Sequence, residues 1–496
     1  MYADETIIED TFVSTTLVNA SKMTLGGAEL GTVLSEYAVR LNVLDEYLKT
    51  ADVDHYYEYY FGVDLTDGGR ARDAVSSYQE IYYPTGIEVA NINGSNYAFV
   101  VAYNDNTIVV MNVSAIDGTI GYEIPFVANF NAASDPDVSS YLSNPWAIDH
   151  AEINGKHILF VTTISTDGFM IIDASNPQNL KMLSYTDDSD ANFDKIANAY
   201  GIKAWEISGT WYLVVSSYSV QTTAYGGNGV QVIDISDLEN PKFAASMVDG
   251  TDGFQCLNNP WGIDMIDVNG VPFLFVAART DDCLQIIDMT DPTDPVAAFA
   301  YTDMYDTYSY MDDPSYVKAF EVNNRYYAAV NARIDRCITV IDVTDPYNPF
   351  EASSMAYSSS MSSTGQQYLG IGGSNNQEPQ MDVFRTTDVF GRVNTFMVTI
   401  GYYSYGSFQL ADVSDPTTPI AVSWVQGSTS ASSNYYMMYY YPFDVKVVEN
   451  EGVHYALVVS NYGSESTSYP NGVQVIKIDP EKTWDLGNTM ASTTFN

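Results

Sequence analysis

Residues 283–295 read CLQIIDMTDPTDP. A short apolar run ends in an acid, and a turn built on Asp-Pro follows. The same phrase returns as GFMIIDASNPQNL at 168, GVQVIDISDLENP at 229, CITVIDVTDPYNP at 337 and FQLADVSDPTTP at 408. Two worn copies complete the set, TIVVMNVSAIDG at 107 and GVQVIKIDPEK at 472. A phrase repeated seven times along one chain marks a repeat architecture, in which each copy is one supersecondary unit.

Two further apolar segments precede each copy. Around residues 260–279 they are PWGIDMIDV, then Asn269-Gly270, then VPFLFVAAR. Around 145–164 they are PWAIDHAEI, Asn154-Gly155 and KHILFVTTI. The earliest unit has GIEVANI, Asn93-Gly94 and a run containing YAFVVAY. Val, Ile, Tyr and Phe with alternation are the marks of strands. Asn-Gly between two strands favours a type I′ hairpin, because both central residues need positive φ. A fourth strand follows the Asp-Pro turn, as in VAAFAYTD at 296–303. Each unit is therefore four antiparallel strands. First strands begin near 86, 147, 201, 262, 316, 382 and 444, a period of roughly 55–65 residues. Such units bury both faces by packing radially. The expected fold is all-β, a seven-bladed β-propeller over residues 81–496, preceded by an N-terminal extension, residues 1–80.

The phrase IID-x-[ST]-DP-x-x-P resembles the LVIVD repeat of β-propeller proteins on bacterial and archaeal surfaces. The resemblance covers most of residues 84–480. It implies a propeller and a place outside the cytoplasm, extracellular or at the cell surface. It brings no catalytic motif. The first and seventh units depart from it, lacking the SDPxxP turn.

Composition narrows the function. The chain has 496 residues, 63 acidic and 20 basic, for a net charge of −43. A polyanion repels nucleic acid and anionic membranes. Acidity of this kind fits a saline habitat, bound divalent cations or general solubility. No apolar run reaches the ~20 residues of a membrane span. The start, Met1-Tyr2-Ala3-Asp4-Glu5, lacks the basic and apolar regions of a signal peptide, which fits a mature form or a cytosolic chain. Three cysteines are too few for a disulfide scaffold, and four scattered histidines form no zinc or haem pattern.

In a four-stranded meander, the turns between strands one and two and between three and four share one face. The opposite face takes the turn between strands two and three and the link to the next unit. Here the first face is compact and the second carries the insertions. Examples are NFNAASDPDVSSYLSN at 129–144, TDDSDANFDKIANAY at 186–200, SVQTTAYGGN at 219–228 and YGSESTSYPN at 462–471. Others run at 302–313, 357–380 and 427–441. Long loops on a rigid scaffold commonly carry binding. Tyr with Ser, Gly and Asn gives large contact area at low entropy cost.

Several residues are candidates for chemistry. Asp188, Asp190, Asn192 and Asp194 have the alternate spacing of a calcium loop. Phe193 and Ala199 stand where an EF-hand needs Gly and Glu, so only a looser calcium site, or a solvated acidic loop, fits. Glu88, Asp149, Lys203, Asp264, Lys318, Phe384 and Lys446 occupy equivalent innermost positions, and their mixed signs suggest structural ion pairs. Cys256 and Cys283 fall in loops on the same face of one blade, which permits a disulfide; buried thiols are the other reading. In the extension, residues 33–48 show helical spacing, IIEDTFVSTTLVN reads as a strand, and Tyr56–Phe61 is an aromatic cluster. These segments could cap the ring or dock on a neighbouring subunit.

The expectation is a non-enzymatic surface protein that binds protein partners or copies of itself, extending to filaments or a surface layer. The alternatives are a polysaccharide hydrolase or lyase and a calcium-dependent glycan-binding propeller. It is also open whether the C-terminal segment or an N-terminal strand closes the ring.

Overall fold

The computed structural model describes residues 24–25, 28–29, 64–72, 81–116, 124–218, 228–302, 311–356, 380–387, 392–401, 407–426, 442–460 and 472–479. The chain divides into two units, Met1–Tyr56 and Tyr57–Asn496. In the first, Thr24–Leu25 pairs with Ala28–Glu29 as a short antiparallel hairpin. The expected helix at 33–48, the strand before it and the Tyr56–Phe61 cluster lie outside the described residues. So do the loops 219–227, 303–310, 357–379, 427–441 and 461–471.

The second unit is a seven-bladed β-propeller of four-stranded antiparallel sheets. Blade 4 shows the plan. Its strands are Pro260–Val268, Val271–Ala278, Cys283–Asp288 and Val296–Thr302, paired in sequence order. First strands of successive blades lie side by side around the axis, and that of blade 7, Pro442–Asn450, adjoins that of blade 1, Pro84–Ile92. Six of the hairpins between first and second strands turn on two left-handed residues. Asn93-Gly94, Asn154-Gly155 and Asn269-Gly270 are three of them, as a type I′ turn requires.

The fourth strand of blade 7 is Asp64–Arg72, which pairs antiparallel with Gly472–Asp479. Between the two candidates for closing the ring, the N-terminal side supplies the strand, from within the segment expected as an extension. This accounts for the worn seventh copy of the phrase. The strand paired beyond Gly472–Asp479 comes from the other end of the sequence, so that copy does not need SDPxxP to turn into it.

The phrase itself is a hydrogen-bonding device. In blade 4, Asp288 Oδ1 accepts from Thr290 N at 2.8 Å, and Asp291 Oδ1 accepts from Thr293 N at 2.9 Å. Asp294 N donates to Asp291 O at 3.0 Å, closing the turn. The same bonds recur at Asp234/Asp237, Asp342/Asp345 and Asp412/Asp415. The hydroxyl between the two acids ties the turn to the second strand: Thr344 Oγ1 accepts from Tyr326 N, and Ser414 Oγ from Thr395 N. These are Asx turns, in which a short side chain satisfies its own backbone. Donors from Thr293 and Thr417 hold Asp291 and Asp415 below the usual carboxylate range. Part of the chain's acidity is therefore structural.

Each blade is apolar on both faces. In blade 4, Leu284 and Ile286 pack toward blade 5, while Ile287 and Met289 pack toward blade 3. Seven such clusters fill the seven junctions, and the last joins Val473 and Val475 of blade 7 to Val100 and Val109 of blade 1. Near the axis the junctions are tight. A Cβ on Gly262 would lie 2.7 Å from Ser315 O and from Tyr316 Cα of the next blade. Gly262→Ala is expected to destabilise the ring by about 1–3 kcal/mol, read as a lower denaturant midpoint with an unchanged slope; an unchanged midpoint would show that the blades give way at this point.

Candidate functional site

The first strands repeat a short register, and that register builds the centre of the molecule. Its second position holds Trp146, Tyr200, Trp261 and Phe443, each directly after the residue that begins the strand. These strands enter from the loop-rich face, so the four rings gather at that end of the axial channel. Trp146 is the hub. Its ring meets Tyr200 at 4.9 Å, Phe443 at 5.2 Å, Tyr103 at 5.7 Å and Trp261 at 6.3 Å between centroids. Tyr200 and Trp261 lie 3.7 Å apart, and Tyr218 closes on both. The Arg279 guanidinium sits 4.3 Å over Trp261, a cation–π contact. Asp313 holds that arginine at 2.6 Å and also pairs with Arg333. Burial alone would raise the Asp313 carboxyl, but the two guanidinium groups bring it below its ordinary value. Phe443 is buried; the tryptophans and tyrosines are half-buried, with part of each surface open. The result is an aromatic cup.

At the next position, Gly86, Gly201 and Gly262 let the strands close in. Below them lies the charged ring. Lys203 Nζ is 3.1 Å from Asp149 and 3.9 Å from Asp264. Lys318 bridges Asp264 at 3.9 Å and Asp382 at 3.4 Å, and Lys446 meets Glu88 at 2.7 Å. The sequence equivalence had placed Phe384 in this ring; in that blade Asp382 provides the charge instead. The carboxylates also cross blade boundaries. Asp149 accepts from Ala204 N at 2.8 Å, Asp264 from Ala319 N at 3.0 Å, Asp382 from Val447 N at 2.9 Å and Asp444 from Ile87 N at 2.8 Å. Each pins the next blade's first strand.

Burial would lower the Lys446 ammonium, but Glu88, Asp382, Tyr316 and Asp444 outweigh it and hold it well above its ordinary value. Lys203 and Lys318 are raised in the same way, against burial, by the neighbouring aspartates. Asp444 differs. Burial pushes its carboxyl up to about 7, against the pull of Lys446 and of the Ile87 and Val445 N–H groups. Cup and ring together enclose about 80 Å³. That volume holds a few waters, so a larger ligand must sit on the cup rather than in the channel.

A second set of stitches lies on the same face. Asn106, Asp167, Asn228 and Asp282, all left-handed, accept from the backbone N of Asn144, Asn198, Asn259 and Asp313, which open the following blades. These loops are tied to the frame at their bases.

The residues singled out from the sequence fall outside the cup. Asp190 accepts from Asn192 N and Nδ2, both at 3.0 Å, and caps a short 3-10 turn, Ala191–Phe193. Asp194 pairs with Lys195 at 2.9 Å. Asp188 is raised by burial and by Asp167 and Asp187. Among the described residues, no three His, Cys, Asp or Glu side chains come together as a metal site would need. Cys256 and Cys283 are joined as a disulfide with Cα atoms 6.2 Å apart, and Cys337 is a buried thiol. The cup itself was legible as PW, AY, PW and PF at matching positions, but the pattern spans four blades and no single one shows it.

Asp444 gives the site a pH signature. Its folded-state pKa lies above the unfolded value near 4, so between about pH 4 and 7 the folded chain holds more protons than the unfolded one. Its contribution to stability therefore falls as pH rises through that window. Asp444→Asn removes this dependence. Its stability deficit against the wild type should be larger at pH 5 than at pH 8, shrinking by up to about 1.4 kcal/mol per pH unit inside the window, measured from urea midpoints. A deficit constant with pH would mean that Asp444 is ionised throughout.

Comparison with known proteins agrees with the fold. The LVIVD repeat family profile matches residues 163–187, 223–249 and 266–303. No curated protein matches the chain. Among solved structures, BBS1N in complex with ARL6DN is 12% identical with a TM-score of 0.50, covering 85% of this chain and 99% of that one. The periplasmic gluconolactonase PpgL of Pseudomonas aeruginosa is 10% identical with a TM-score of 0.46, over 69% of this chain and 85% of that one. The first of these similarities speaks to the fold alone. The turn phrase is thus accounted for bond by bond, and the family profile places LVIVD repeats in blades 2 to 4 of this seven-bladed propeller.

Proposed function

We propose that this chain is a non-enzymatic binding propeller, extracellular or on the cell surface, that holds a protein partner on its loop-rich face and anchors it at the aromatic cup. The cup is the observation that carries this reading. Aromatic side chains and arginine dominate binding energy at interfaces because they bury large surface with few rotors to freeze. Here Trp146, Tyr200 and Trp261 stand on the innermost strands, the most rigid place for a contact. They keep open surface, and Arg279 adds a charge to the rim. The Cys256–Cys283 disulfide fits an oxidising setting. Calcium at Asp188, Asp190, Asn192 and Asp194 is a separate proposal, which calcium titration calorimetry decides.

The ring beneath the cup favours binding over chemistry. Asp149 divides its two oxygens between Lys203 and Ala204 N. Asp264 and Asp382 are likewise held by a neighbouring strand and a lysine. A carboxylate whose oxygens are so engaged is poorly placed to exchange a proton with a substrate. A rival reading, a glycan hydrolase or lyase, draws on Asp444, whose carboxyl at about 7 lies in the range of a general acid.

Two measurements separate these. The wild type and the Trp146→Ala/Trp261→Ala variant are immobilised and exposed to surface-fraction proteins and to a glycan panel. The variant should retain a specific protein at least tenfold more weakly, with its circular dichroism unchanged. Equal retention by both removes the cup from the reading, and retention of glycans alone replaces the protein partner. Turnover of any glycan that is lost in Asp444→Asn and in Asp149→Asn would replace binding by catalysis.

A further inference from the structure

The fourth strand of blade 7 is unlike the others in one respect. In blades 2 to 6 the fourth strand follows its third strand through a compact turn built on Asp or Asn, with Asp-Pro in blades 4 to 6. In blade 7 it comes from the other end of the sequence, with Thr66 opposite Lys477. No turn fastens it to its neighbour. Its sequence, DLTDGGRAR, has two glycines, four charged residues and only Leu65 and Ala71 as apolar residues. Blade 4 has VAAFAYT in the same place. Glycine and aspartate are poor in strands, so this strand depends on its backbone ladder. The ladder runs from Asp64↔Asp479 to Arg72↔Gly472, with an irregularity between Asp67 and Gly69.

The partner strand cannot be left bare. Gly472–Asp479 carries Val473, Val475, Ile476 and Ile478, all fully buried. Without its outer neighbour it would present a row of unpaired N–H and C=O groups, a template for another strand. The fourth strand is also the outermost of the blade, so it can leave without disturbing the first strands at the axis. Eleven residues, 73–83, connect it to Pro84 of blade 1, and a chain of that length spans up to about 36–40 Å.

From this topology we infer that Asp64–Arg72 is exchanged between copies, each ring accepting the strand of a second copy on Gly472–Asp479. A second copy is the occupant that fits, because its segment reproduces every backbone pair and the irregularity at Asp67/Gly69. Exchange of an identical element is a low-cost route to association, and strand addition to a sheet edge supplies affinity through main-chain bonds. The −43 charge of each copy opposes association, so exchange increases with salt as the repulsion is screened. The exchanged strand lies at the opposite edge of a blade from the cup, and its exchange needs no ligand.

The test uses the full chain. Residues directly opposite in an antiparallel pair have Cβ atoms within disulfide reach. A mass-tagged Thr66→Cys chain is co-expressed with an untagged Lys477→Cys chain, and the products are separated without reductant. A covalent heterodimer is expected, absent when either variant is made alone and more abundant at 1 M than at 0.05 M NaCl. The double variant, Thr66→Cys/Lys477→Cys in one chain, reports on folding, since it can close within a chain or between chains. If it closes only within chains while the mixture gives no heterodimer at either salt concentration, exchange is overturned. No disulfide at all in the double variant overturns it too, because the strand is then not held on Gly472–Asp479.

Discussion

A four-stranded sheet with apolar side chains on both faces needs a neighbour on each side. That constraint governs this molecule. Successive residues of one strand serve different junctions, as Ile286 and Ile287 do, so no blade is complete alone. The solution is a closed ring, and closure requires the last blade to meet the first. Val473 and Val475 against Val100 and Val109 make that junction.

The ring is also fastened by polar groups at two levels. On the innermost strands, aspartates accept an N–H from the next blade and a lysine from the channel. On the loop-rich face, left-handed Asn and Asp residues accept an N–H from the residue that opens the next blade. Both sets act between neighbours, so they fix the angle between blades as well as their contact. Buried carboxylates survive here because each has specific donors. Where the lysine neighbour counts for less than burial, as at Asp444, the carboxyl is driven upward instead.

The same register that closes the ring also builds the cup. Position two of the first strand brings the aromatic rings to the mouth, position three is glycine where the strands crowd, and position five carries a charge in blades 1 to 5 and 7, with Asp382 and Asp444 adding theirs from earlier in their strands. Aromatic cup, close approach and ion pairs are thus successive layers of one strand. In this arrangement many of the chain's acids do structural work. Many are Asx turns in the repeat phrase, and those near the axis hold neighbouring strands.

The sequence by itself determined the blade. Alternation in PWGIDMIDV and VPFLFVAAR, the Asn-Gly turns and the Asp-Pro phrase are local signals, set by backbone sterics and short-range hydrogen bonds, and the recurrence of the four-strand unit seven times pointed to the architecture. Tertiary structure decided what depends on residues far apart in the chain. Ring closure by Asp64–Arg72 leaves little mark in a segment as polar as DLTDGGRAR, because its register is set by the partner strand. The gathering of Trp146, Tyr200, Trp261 and Phe443 comes from four blades, separated by 54 to 182 residues of chain between successive rings. The role of Asp382 in place of Phe384 follows from how blade 6 sits against its neighbours, a geometry that exists only once the ring has closed.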